Sequence, residues 1–182
     1  IHGRVFQDVY DWAGEARTVN IAKGTTVFAP IAFAEQYLQG QLATLQKENL
    51  LRGTDDKTFV DKMAHLYTEV NSTHLMREGN GRTQRAFLEQ LATESGRTLD
   101  FSRVPSELIV SASIASHNRG SDFAKPMIEA ALEAGRRFTA ETIVDPELRK
   151  DALGQAAARA FLVQPRETAN IAYPELAAAY GV

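Results

Sequence analysis

His74-Leu75-Met76-Arg77-Glu78-Gly79-Asn80-Gly81-Arg82-Thr83-Gln84-Arg85 is the stretch on which the reading of this chain turns. It places a base, an acid, a Gly-Asn-Gly turn and two arginines in one short span. A turn with two glycines brings successive backbone N–H groups close to an anion. A helix starting there adds its first unpaired N–H groups and its dipole. Arg82 and Arg85 then share one helix face, and guanidinium forks suit phosphate oxygens. Glu78 precedes the turn, where a carboxylate can hold Mg²⁺ beside phosphates. His74 is the neutral-pH base of the group. Taken singly, each has a plainer reading: a helix cap, a solvated carboxylate, an ordinary turn and two surface arginines.

Outward from this stretch the chain reads as mainly α-helical with one hairpin. Upstream, Phe59, Met63, Leu66, Tyr67 and Val70 recur at helical spacing from about Asp55 to Asn71. Before them, Pro30 opens a helix through Ile31, Ala34, Leu38, Leu42 and Leu45. Thr18 to Ile21 and Thr25 to Phe28 favour extended backbone around Gly24, which predicts a hairpin. Residues 2 to 13 read as a first helix stopped by Gly14. Downstream, a helix over Asn80 to Ser95 ends at Gly96, and two more are expected from Pro105 to Ser116 and over 122 to 137. Residues 138 to 182 are expected to form an accessory helical arm, opened by Asp145-Pro146-Glu147.

The 182 residues suit one domain with an appendage, and 44% hydrophobic residues suffice for a sizeable core. No apolar run is long enough to span a membrane. The formal charge of −3 argues against a general nucleic-acid binder. Without cysteine, disulfides and thiolate metal sites are excluded. The chain opens on Ile1, so a fragment with a truncated N-terminus is expected.

Residues 74–85 resemble the signature of the Fic family, H-x-F-x-[DE]-G-N-G-R-x-x-R, at His74, Glu78, Gly79, Asn80, Gly81, Arg82 and Arg85. Met76 replaces the usual Phe and Leu75 a common Pro, changes expected to affect loop rigidity more than chemistry. The resemblance covers roughly residues 1–137 and implies a helical core with a β-hairpin flap. It also implies transfer of AMP from ATP to a hydroxyl side chain (Tyr, Thr or Ser) of a target protein. His74 would be the general base, and Glu78 would hold Mg²⁺. Gly79, Asn80 and Gly81 would line the phosphate-binding loop, with Arg82 on the β-phosphate and Arg85 on the γ-phosphate. Lys23, Gly24, Thr25, Thr26, Val27 and Phe28 would form the target-binding flap. Asn118, in Ser116-His117-Asn118-Arg119-Gly120, would approach the nucleotide. His2, His65 and His117 carry no such context and read as structural or exposed.

Members are often silenced by a glutamate within [ST]-x-x-x-E-[GN] that pairs with the second motif arginine, here Arg85. Thr44 to Asn49 fits the letters at Glu48, but within a core helix, so the match reads as chance. The expected inhibitor is then a separate small antitoxin. The chain would be the toxin half of a bacterial pair, or an effector tied to type IV secretion. It would act in the bacterial cytoplasm or be delivered into a recipient or host cell. Two alternatives stay open: a Fic-fold enzyme with other chemistry (UMP, phosphocholine or phosphate transfer, or AMP removal), and an inactive target-binding module.

Overall fold

The computed structural model describes residues 1–142. Its elements are α1 (His2–Phe6), β1 (Ala22–Lys23), β2 (Thr26–Val27), α2 (Ile31–Lys47), α3 (Asp56–Thr73), α4 (Asn80–Glu94), α5 (Ser106–Arg119) and α6 (Lys125–Thr142). Helix α3 is the axis, with α2, α4, α5 and α6 packed around it. Asp55 caps it by accepting the Thr58 N–H at 2.8 Å. Phe59 and Met63 of α3, Leu88 of α4, and Met127 and Ile128 of α6 are fully enclosed. Each such side chain contributes roughly 1.5–3 kcal/mol through burial. That core holds the ends of α3 and α4 still, and the loop between them is the motif.

Several expected element bounds are corrected. The first helix stops at Phe6 rather than running to residue 13. Beyond it Tyr10 and Trp12 stack at 4.3 Å, with His2 against Phe6 and Trp12, so successive turns satisfy the aromatic spacing. The hairpin strands are only Ala22–Lys23 and Thr26–Val27, because 18–19 bend instead of extending. The fifth helix continues past Ser116 to Arg119. Along α2 only Ala34 and Leu45 are buried, and Phe33 and Tyr37 stay exposed. The boundary placed at 138 falls inside α6, which is continuous to Thr142. The expected arm lies almost wholly outside the described residues.

Candidate active site

Helix α3 ends at Thr73, and His74 follows in the left-handed conformation (φ 40°, ψ 55°). For a residue with a side chain this costs about 1–2 kcal/mol. The His74 N–H donates to Val70 O at 3.2 Å, and its Nδ1 lies 3.3 Å from Asn71 O. That carbonyl can only accept, so Nδ1 carries the proton and Nε2 keeps a lone pair. Phe28 lies flat on the imidazole, 3.8 Å between centroids and 15° between planes. Burial pushes the His74 pKa down to about 4, aided by the charges of Lys23, Arg17 and His117, while the Asn71 bond opposes the shift. At neutral pH the ring is therefore an uncharged acceptor.

Asn80 braces the loop. Its Oδ1 accepts the Met76 N–H at 2.8 Å and its Nδ2 donates to Met76 O at 2.7 Å. Met76 is thus fixed through its backbone. Gly79, at φ +77°, turns the chain into α4. A Cβ there would lie 2.5 Å from Phe6 Cε2, so only glycine fits. No side chain caps α4, and its first internal bond runs from the Thr83 N–H to Gly79 O. The N–H groups of 80–82 are left for an anion. Arg82 sits over the Phe6 ring and reaches Glu78 at 3.5 Å. The Arg82 guanidinium therefore already has a carboxylate beside it. Among the described residues no three metal-binding side chains cluster. Mg²⁺ usually keeps waters and substrate phosphates as ligands and takes one or two carboxylates from a protein, so a lone carboxylate such as Glu78 could hold it.

Arg85 lies one turn further along α4, and Glu89 one turn beyond that. Burial pushes the Glu89 carboxyl up to about 7, against the Phe101 N–H and the charge of Arg85. Glu48 is bound elsewhere, 2.5 Å from Lys62 on α3. In the hairpin, Lys23 pairs with Thr26 and Ala22 with Val27, and Gly24 takes φ +58°. Since the Phe28 N–H donates to Ile21 O, alternation turns the Val27 N–H outward, to a free edge. Phe28 faces the other way, onto His74. Asn118 is exposed, with Nδ2 on Ile114 O at 2.8 Å, a bond it would have to release to reach a nucleotide. His117 is the one that turns inward, with its ring edge on Phe28 and Nδ1 3.2 Å from Ser72 Oγ.

Two buried residues carry the loop without any sign in its own sequence. The His2 ring accepts the Gly14 N–H at Nδ1 (2.8 Å) and donates from Nε2 to Glu78 O (3.0 Å). Arg17, 2% exposed, donates to four backbone carbonyls: His74, Thr73, Val19 and Ala29.

A profile described as the Fic/DOC family matches residues 1–92, just over half of the chain. The chain belongs to the Fic/DOC family. Among curated relatives of this Fic domain is the protein adenylyltransferase VbhT of Bartonella schoenbuchensis, 39% identical over 145 residues, which are 80% of this chain and 30% of the relative. Another is a probable protein adenylyltransferase Fic of Escherichia coli, 38% identical over 107 residues, 59% of this chain and 54% of the relative. The chain therefore spans from a third to about half of the length of these relatives. Solved Fic structures share the fold. The N-terminal Fic domain of an effector from Bartonella sp. AR 15-3 aligns with TM-score 0.68 at 25% identity, covering 71% of this chain and 66% of that one. BepC of Bartonella tribocorum, with bound AMPPNP, aligns with TM-score 0.64 at 25% identity, covering 71% and 70%.

Proposed function

We propose that this chain transfers AMP from ATP to a hydroxyl side chain of a target protein. The carrying observation is His74: an uncharged imidazole with Nδ1 committed to Asn71 O and Nε2 left as acceptor, beside a helix start with uncapped N–H groups. Nε2 takes the hydroxyl proton as the oxygen attacks the α-phosphorus. The bond from that phosphorus to the bridging oxygen breaks, and pyrophosphate leaves. The N–H groups around Gly79, Asn80 and Gly81 would hold the α- and β-phosphates. Arg82 would exchange Glu78 for the β-phosphate, and Arg85 would take the γ-phosphate. Glu78, so released, would hold Mg²⁺, which neutralises phosphate charge when bound. Support comes from relatives named adenylyltransferases and from a Fic structure holding AMPPNP, an ATP analogue.

The flap, Lys23 to Phe28, would receive the target as an added strand on the outward edge at Val27. Regulation would come from a separate small antitoxin whose glutamate reaches Arg85 and excludes the γ-phosphate. The chain would act in the bacterial cytoplasm or be delivered by a secretion system, as the relatives' contexts suggest. The test is incubation with ATP labelled at the α-phosphate and a bacterial lysate. Label should appear on a protein band with the wild type. His74→Ala should lower it on the order of 10²–10⁴-fold with ATP binding kept. Equal labelling by both proteins would remove the base role.

A further inference from the structure

We propose that Arg17 is a positioning residue that sets the base and the target-binding flap with a single guanidinium, making them one rigid unit. The inference rests on the AMP-transfer reading for its consequence, but not for its geometry.

Arg17 is the largest fully buried side chain among the described residues, and its guanidinium hydrogen bonds run to backbone carbonyls. Enclosing a cation without an ionic partner is costly unless its donors are filled. They are filled by carbonyls in two groups. Nε donates to His74 O at 3.0 Å and Nη2 to Thr73 O at 3.2 Å, both at the C-terminal end of α3. Nη1 and Nη2 donate to Val19 O and Ala29 O, which bracket the hairpin on either side. The first group consists of carbonyls left over at a helix end, where a cation is favoured. The second gives the hairpin its two feet.

Backbone bonds repeat the pattern. The Arg17 N–H donates to Leu75 O and the Ala29 N–H to Ser72 O, each at 2.9 Å, and Ala16 bridges to Met76. Phe28, the neighbour of Ala29, lies flat on the His74 ring. The guanidinium therefore fixes the separation between Nε2 of His74 and the flap edge. A hydroxyl presented along that edge arrives in register with its base. Lysine cannot replace this fork, because its three donors sit on one atom and cannot span both groups.

The test compares wild type with Arg17→Lys, which keeps the charge near His74. Three quantities are read: ATP affinity by calorimetry, transfer rate at saturating ATP, and the ring signals of His74 and Phe28 by NMR. ATP affinity should stay within about twofold, since misplacing the base leaves nucleotide contacts alone. Transfer should fall on the order of 10²-fold, the usual effect of about 1 Å of misalignment. The two rings should shift together, with the Leu88 methyl signals unmoved. Unmoved ring signals, or transfer kept at the wild-type rate, would overturn the proposal. If wild type labels no protein while the substitution still moves both rings, the AMP-transfer reading fails and the positioning stands. Should Arg17→Lys not fold, amide exchange in the unmodified protein decides. The Arg17, Ala29 and His74 amides should open with one common rate, and rates differing more than about tenfold would show two independent pieces.

Discussion

Gly79→Ala probes the closest approach in the site. The added Cβ would stand 2.5 and 2.6 Å from Cε2 and Cζ of Phe6, and Phe6 is fully buried. Forcing a methyl into such packing costs about 1–3 kcal/mol. The left-handed φ of +77° adds about 1–2 kcal/mol for alanine. The sum, about 2–5 kcal/mol, corresponds to a fall in Tm of about 4–20 °C for a chain of this length. The two contributions separate in a double-mutant cycle with Phe6→Leu, which removes the ring atoms that clash. In that background Gly79→Ala should cost only the backbone part, so the coupling should be about 1–3 kcal/mol in the favourable direction. Chemical denaturation of the four proteins gives all the required values. An equal cost of Gly79→Ala in both backgrounds would refute the reasoning, because the contact would then contribute nothing.

His74, neutral in the fold down to about pH 4 against an ordinary 6.5, makes the unfolded chain the stronger proton binder between those values. Stability should therefore fall as pH drops from about 6.5 to about 4, a slope that His74→Ala should reduce, and an NMR titration placing the imidazole at or above 6.5 would contradict it. For the same reason kcat/KM should show no loss of the base from pH 8 down to about 5. Val27→Pro removes an outward N–H and leaves the hairpin's own bonds in place, so ATP affinity by calorimetry should hold while target labelling drops. Glu48→Gly should lower Tm through the lost Lys62 pair and leave transfer per folded molecule unchanged. A large rise in transfer would make Glu48 the inhibitor.

The motif was legible because its chemistry is local: the loop 74–79 and the start of α4 sit next to one another in the chain as they do in space. The long helices were legible for the same reason, through apolar spacing along α3 and α4. The N-terminal segment was not. Phe6 and Tyr10 have helical spacing, yet Tyr10 also stacks on Trp12, and Trp12 on His2, across turns. Thr18 and Val19 have the composition of a strand, yet the chain bends there to give its Val19 carbonyl to Arg17. His2 and Arg17 bind backbone carbonyls 76 and 57 residues away, and no side-chain pattern marks a carbonyl as a partner. Near the end of α5 one residue decides which side chain faces inward, and the sequence does not mark His117 rather than Asn118 as the one that meets Phe28.

Those separations of 76 and 57 residues also set an order of assembly. Helices α3 and α4 can pair early, since only a short loop lies between them, whereas docking of residues 2–17 must close a long one. The motif loop should thus be shaped last, when residues 2–17 dock. A molecule whose helices are formed but whose opening segment is still loose has the motif without its geometry. Immature copies would be chemically silent until folding is complete. In reverse, gentle heating should extinguish transfer before the helical signal declines, because residues 2–17 can detach while the core remains intact.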